Sequence, residues 1–428
     1  MRLVQCSPVR IVVAGINFAP ELTGIGRYTG EMATWLASRG HEVVAISAPP
    51  HYPEWSVSRS YAGKGFWRED LGGVTVLRTP VLLPRRGTIS TLRRVALETS
   101  YSVGAARWWL PRLVAAQRPD VAIAVCPPLQ DAVWPSILGA IRRVPWLLHV
   151  QDLQVDAAIR LGMIRNATVS SALLAAEERM LMSAPWVSTI SGAMLKQIRA
   201  KGVHADRSFL FPNWTDLAHV TPRPADPNMR ARLGAAADQV LVVYSGNLGK
   251  KQGLETVIEI ADRLRGRPNL RFAIVGNGVE RVALERSAAD RAISNVTFHD
   301  LVADHELPDL LAAGDIHLIV QKGVAADLVM PSKVTNIFAA GRPSIVTAAP
   351  GTELHEVITG SGAGIAVAPD DVEQFLNAVL HLAGAAHARR TMGDDARRYA
   401  SVHLGKERVL TAFEARLLAI ARQPRGTN

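Results

Sequence analysis

Short β-branched runs alternate with longer amphipathic segments along nearly the whole chain, and this alternation restricts the fold more than any other feature. Strand, amphipathic helix and strand in succession make a right-handed βαβ unit, which places the strands in parallel and the helices on both sheet faces. In the first half the expected strands run from Ile11 to Phe18, Glu42 to Ser47, Val74 to Arg78, Val121 to Val125, Trp146 to Val150 and Val187 to Ile190. From Pro212 to Pro227 the chain is rich in proline, which neither donates to a ladder nor sits inside a helix, and this segment reads as an interdomain linker. The alternation restarts with strands beginning near Val240, Arg271, Val296, Ile316, Ser344 and Ala363. The expected fold class is α/β, with two Rossmann-like, doubly wound parallel-sheet domains over 1–212 and 213–405.

A chain of 428 residues, 48% hydrophobic and 20% charged, can bury two cores of this kind. Leu254, Val257, Ile258, Ala261 and Leu264 fall on one helical face, as do Leu410, Phe413, Leu417 and Ile420 near the end. The segment 406–428 is therefore expected to be a docked helix and tail, with the N-terminal domain as the candidate surface. Cys6 and Cys126 stand apart, outside any disulfide or zinc spacing, which fits a reducing, cytoplasmic setting. The apolar run from Arg10 to Asn17 reads as a strand, because a Gly-rich loop and a helix follow it, and not as a signal segment. The stretch nearest to a membrane span, Asp131 to Val150, is interrupted by Arg142, Arg143 and two prolines. A net charge of +10 favours a polyanionic partner: nucleic acid, anionic lipid or a phosphorylated substrate.

Several loops carry residues suited to such a partner. Gly24 and Gly26 precede a helix in GxGxxxG spacing, where backbone N–H groups and a helix N-terminus can approach an anion; a tight strand-to-helix turn would use the same glycines. His149 and Asp152 lie at or just past a strand's carboxyl end, the side on which open α/β sheets bind ligands, with Asp156 close by. A histidine there can equally be a satisfied core residue. Asn247, Lys250 and Lys251 occupy a Gly-rich loop after the strand near Val240, where lysines could neutralise a diphosphate or be solvated. Ser332, Lys333 and Asn336 are expected on the opening turns of a helix with Pro331 at its first position, Asp327 and Met330 lying just upstream. No DxD, HExxH or His/Cys cluster offers a metal, and neither GxSxG nor a Walker A loop is present.

Six ordered blocks, ELTGIGRYTGEMATWLASRGHEV, HYPEW, LLHVQDLQVDAA, YSGNLGKKQGLE, DLVMPSK and APGTEL, resemble glycosyltransferase family 4, in particular its branch of fucosyl and N-acetylfucosamine transferases of exopolysaccharide and O-antigen synthesis. The resemblance implies a GT-B fold, two Rossmann-like domains facing a cleft, and a retaining transfer from a nucleotide diphosphate sugar without metal or cofactor. It also implies roles. Gly24 and Gly26 would approach the donor phosphates, His149 and Asp152 would lie near the reacting centre, and Lys251 would stabilise the departing diphosphate. Asn247, Lys250, Asp327, Met330, Ser332, Lys333, Asn336 and Glu353 would bind the donor. The family's usual Arg of the Gly-rich loop is Asn247 here, and its two spaced glutamates are absent: Leu328 and Asn336 hold that spacing.

Between Arg85 and Arg112 lie six arginines, Arg85, Arg86, Arg93, Arg94, Arg107 and Arg112, against Glu98, with Trp108 and Trp109 nearby. Such a stretch suits an anionic membrane surface or a solvated helix face. The resemblance favours the membrane, because family members commonly take polyprenyl diphosphate-linked saccharide acceptors. The expectation is peripheral association with the inner face of the cytoplasmic membrane. A GT-B-like nucleotide-sugar epimerase and a basic binding protein are the alternatives; no nucleic-acid motif supports the second.

Overall fold

The computed structural model describes residues 7–21, 24–52, 55–83, 91–160, 164, 166–323 and 331–423. Asp327, Met330, Arg85 and Arg86 therefore lie outside the described residues. The chain forms two compact units, Met1–Phe211 with Leu410–Asn428, and Pro212–Val409.

The first unit contains β1 (Arg10–Ala14), β2 (Glu42–Ser47), β3 (Trp67–Leu71), β4 (Val74–Arg78), β5 (Val121–Cys126), β6 (Trp146–Val150), β7 (Trp186–Thr189) and β8 (Ser208–Leu210). They form one sheet in the order β3-β4-β2-β1-β5-β6-β7-β8. Strand β1 is central, Val12 lying opposite Val44 on one side and Ala122 on the other. The connections thus leave β1 in both directions, and the carboxyl ends of β1 and β5 form a topological switch point. All six residues of β5 are buried, which is why it reads VAIAVC without alternation.

Strand β1 is shorter than expected, because Ile16 N–H leaves the ladder for the buried Asp131 carboxylate, 2.8 Å away. Strand β3 had no counterpart in the hydrophobic pattern. Its sequence WREDL alternates half-buried and exposed residues on an antiparallel sheet edge, where charge discourages further pairing. Gly72 and Gly73, at φ 61° and 82°, make the two-residue turn that joins it to β4.

The second unit holds β9 (Val240–Ser245), β10 (Leu270–Val275), β11 (Val296–His299), β12 (Ile316–Ile319), β13 (Ser344–Thr347) and β14 (Gly364–Val367), all parallel, in the order β11-β10-β9-β12-β13-β14. Its switch point lies between β9 and β12. Leu254, Val257, Ile258, Ala261 and Leu264 all join the core under these strands, each Leu, Val or Ile side chain contributing about 1.5–3 kcal/mol. The proline-rich segment after Phe211 is no free linker. Trp214 and Val220 are buried, and Thr215 bridges Gly405, with Thr215 N–H donating to the Leu404 carbonyl at 2.8 Å. Proline lacks a donor, yet the residues between the prolines still pair and pack.

The helix Lys406–Ala421 buries Leu410, Phe413, Leu417 and Ile420. Phe413 stacks on Phe211 with ring centroids 3.8 Å apart. Glu414 accepts from Arg39 at 3.3 Å and lies 3.0 Å from His41 Nε2. Among the described residues no helix is long and apolar enough to cross a membrane.

Candidate active site

In the second unit the site is built on the carboxyl ends of β9 and β12. Beyond Ser245 the chain turns through Gly246, at φ 141°, into Asn247, Leu248 and Gly249, then a short 3-10 turn at Lys250–Gln252. Two loops meet here. Gly246 N–H donates to the Val275 carbonyl at 2.9 Å and Leu248 N–H to the Asn277 carbonyl at 2.9 Å. The approach is so close that a Cβ on Gly276 would stand 1.8 Å from the Gly246 oxygen, and one on Gly278 would stand 2.3 Å from the Leu248 oxygen. These two glycines escaped the sequence reading, although a G-x-G following a strand is a signal for close backbone approach. Lys251 accepts a backbone bond from Lys322 N–H at 2.9 Å, which ties the loop after β9 to the loop after β12. The side chains of Asn247, Lys250 and Lys251 are exposed.

Lys333 opens the helix Lys333–Ala339, with Ser332 at its N-cap, so Pro331 stands one residue outside the helix and not at its first position. The Lys333 residue as a whole is half-buried, but its ammonium end is enclosed. Nζ lies 3.9 Å from the Tyr244 ring centroid, and a Cβ on Gly246 would stand 2.9 Å from it. Burial pulls its pKa from 10.5 down to about 7, and among the described residues no neighbouring carboxylate opposes the shift. Cation–π contact with Tyr244 offsets part of the desolvation cost but supplies no counter-charge. One turn on, the Asn336 carbonyl oxygen accepts from Thr215 Oγ1 at 2.7 Å, which leaves its NH2 group as the part able to meet a ligand. Glu353 is the first residue of the helix Glu353–Ser361 after β13, behind the N-cap Thr352.

In the first unit, Gly24 takes φ 63° at the start of the helix Gly24–Ser38. Gly26 has a packing reason to be glycine as well: a Cβ there would stand 2.1 Å from Glu21 Oε2. Glu21 accepts from the backbone N–H groups of His51 at 3.1 Å and Tyr52 at 3.2 Å, and from Asn17 Nδ2 at 3.0 Å. It thereby fastens the loop after β1 to the loop after β2. Burial outweighs these bonds and raises its carboxyl to about 7. Sequence spacing did not reveal Glu21, because the backbone groups it joins at His51 and Tyr52 lie some 30 residues away.

His149 is buried on β6, its Nδ1 2.9 Å from Ser188 Oγ and its ring 4.8 Å from that of Phe211. Burial lowers its pKa to about 3, so the imidazole is neutral. Asp152 is half-buried in the loop after β6. Asp156 belongs to a structural cluster, its carboxylate 2.9 Å from Lys201 Nζ, which also meets the buried Glu177 at 2.8 Å. Among the described residues no group of three or more His, Cys, Asp or Glu side chains could hold a metal ion.

The two units match two family descriptions in order: Glycosyl transferase 4-like domain over residues 23–214, and Glycosyl transferases group 1 over residues 239–384. WcaI of Escherichia coli (strain K12), assigned as a colanic acid biosynthesis glycosyl transferase, is 42% identical over 414 residues, covering 95% of this chain and 98% of its own. Among solved structures, sucrose-phosphate synthase from Thermosynechococcus elongatus aligns with a TM-score of 0.73 at 16% identity, over 96% of this chain and 98% of its own. Anabaena HepE, solved in complex with UDP-glucose, aligns with a TM-score of 0.70 at 14% identity, over 96% of this chain and all of its own. Paired α/β units, the Gly-rich carboxyl edge of β9 and both family matches converge: the chain is a glycosyltransferase of the GT-B fold and belongs to the 4-like, group 1 family.

Proposed function

We propose that this glycosyltransferase takes a nucleotide diphosphate sugar and transfers the sugar, with retention and without a metal or other cofactor, to a polyprenyl diphosphate-linked saccharide in exopolysaccharide or O-antigen synthesis. The observation that carries the donor reading is the enclosed ammonium of Lys333 over Gly246, without a counter-charge among the described residues. A cation held without a counter-charge at a switch point is a place prepared for an anion. As the C1–O bond to the diphosphate breaks, Lys333 and Lys251 meet the negative charge that develops. The acceptor hydroxyl forms the new bond to C1 on the same face and passes its proton to the departing diphosphate, so no protein base is required. HepE was solved with UDP-glucose, and the assignment of WcaI to colanic acid biosynthesis supports the exopolysaccharide reading, with fucose or an N-acetylated deoxy sugar as the candidate group. Both matched families describe glycosyl transfer, which leaves the epimerase reading without support.

Thermal stabilisation by GDP and by UDP tests the donor site and chooses the nucleotide, because a ligand at 100 times its Kd adds about 2.7 kcal/mol. The pH dependence has a definite sign. A diphosphate binds the protonated amine, so affinity is full below the free-state Lys333 pKa of about 7 and weakens as pH rises above it. No stabilisation by either nucleotide, or affinity that rises between pH 7 and pH 9, would overturn the donor reading.

The membrane reading rests on the helix Thr91–Val114 and differs from the sequence expectation in detail. Trp109 is core, Arg94 pairs with Glu98 at 3.0 Å, and Arg112 donates to the Trp108 carbonyl at 2.6 Å. What faces outward is apolar: Val95, Val103, Leu110 and Val114 are exposed on one stripe, to 69% for Val103 and 83% for Val114, beside the exposed Arg93 and Arg107. An apolar stripe rimmed by cations fits shallow insertion between anionic headgroups, where a lipid-linked acceptor resides. Val103→Asp with Leu110→Asp should abolish flotation with anionic vesicles at low salt and leave nucleotide binding intact; undiminished flotation of the double variant rejects this face.

A further inference from the structure

The second unit carries another concentration of positive charge, on the sheet edge away from the site above. A cavity of about 530 Å³ opens beside the amino ends of β12 and β13, lined in part by Arg223, Asp315, Arg342, Arg389, Arg390 and Asp394. Arg342 follows the C-terminal end of the helix whose first residue is Lys333, so the cavity and the candidate donor site lie at opposite ends of that helix.

Charge balance within the cavity is uneven. Arg223 is committed to Asp309 at 3.1 Å, and Asp315 to Arg230 at 2.9 Å. Arg342 donates Nη2 to the Arg223 carbonyl at 2.9 Å, but its buried Nε has no partner, and Asp315, already bonded to Arg230, attracts it without a direct ion-pair contact. Arg389 spends Nη1 on the carbonyls of Leu382 and Ala383, at 2.5 Å and 2.9 Å. Arg390 is exposed and unpaired among the described residues. Against these three guanidinium groups stands one further carboxylate of the lining, the exposed Asp394. The helix Ala386–His403 also begins at this wall, with no side-chain cap and no acid in its first turn, so its positive end adds to the excess.

A mostly buried guanidinium whose Nε lacks a hydrogen-bond partner is costly, and arginine forks beside free helix N–H groups match the geometry of phosphate oxygens. We propose that this cavity binds a phosphorylated small molecule, its phosphate held by Arg342, Arg390 and the first turn of the helix Ala386–His403, at a site separate from the donor site.

Hydrogen exchange of the full chain with inorganic pyrophosphate, against sulfate at equal ionic strength, tests the assignment. Pyrophosphate should slow exchange over 386–392 and 340–344 and should still do so in Lys333→Met, whose donor site has lost its enclosed cation. Arg390→Ala, a surface change that leaves the fold intact, should weaken that protection by about tenfold or more in pyrophosphate concentration. Arg342→Lys, which keeps the charge but loses the fork, should weaken it likewise. The proposal is overturned if 386–392 is not protected, if Arg390→Ala leaves protection unchanged, or if sulfate protects equally. Because Lys333→Met reports the donor site separately, failure of one site is not mistaken for failure of the other.

Discussion

Purified Lys333→Met enzyme should turn over about 10²–10³-fold more slowly than the parent, with a melting temperature that is unchanged or higher. The two effects have one cause. The Lys333 ammonium is enclosed against Tyr244 with no carboxylate beside it among the described residues, so folding works against its charge and methionine removes that cost while keeping the chain length. Transfer needs the same charge once the diphosphate begins to leave. Enclosure also strengthens the interaction, because a charge in a low-dielectric site acts on a developing oxyanion more strongly than a solvated one. Lys251 is exposed, so Lys251→Ala should cost less, on the order of tenfold to 10². Steady-state kinetics beside thermal melting checks both variants. Near-normal turnover in Lys333→Met removes Lys333 from the mechanism, and a larger loss in Lys251→Ala reverses the ranking of the two lysines.

Gly276→Ala should destabilise the second unit by about 3 kcal/mol, lowering its melting temperature by roughly 6–12 °C, and should weaken nucleotide binding with it. A Cβ at this position would stand 1.8 Å from the Gly246 carbonyl oxygen and 3.4 Å from Leu248 Cδ2. Backbone is the obstacle, so no side-chain rotation relieves it. The loop after β9 would have to lift, and it carries Gly246 beneath the Lys333 ammonium and leads into Lys250 and Lys251. Gly360→Ala is the control, since that glycine lies in the helix Glu353–Ser361 with open space around it; it should be neutral or stabilise by up to about 1 kcal/mol. Equal melting temperatures for the two variants would show that the contact between the loops after β9 and β10 does not matter to the fold.

Much of the architecture was legible before any coordinates. Strands buried on both faces are written as unbroken apolar runs, so β5, β6 and β9 stand out in the text, and the helix face from Leu254 to Leu264 is visible by its period. The edge strand β3 was not, because an exposed edge requires charge in place of hydrophobicity. Gly24 and Gly26 stand out in the sequence by their spacing, but the positive φ of Gly24 and the Glu21 carboxylate packed against Gly26 are visible only in the fold. Basic residues of the helix Thr91–Val114 were countable, but their pairing with Glu98 and with a carbonyl was not, and neither was the apolar stripe they leave facing outward.

By itself the sequence determined the alternation of helices with parallel strands and the family, since each is set by local periodicity and by motifs that survive as strings. Tertiary structure alone decided which lysine holds an enclosed charge and which carboxyl is raised toward neutrality. Those properties come from neighbours far away in the chain: Tyr244 and Gly246 around Lys333, and His51 and Tyr52 around Glu21. Desolvation depends on what surrounds a group in space, and only the folded chain supplies those surroundings.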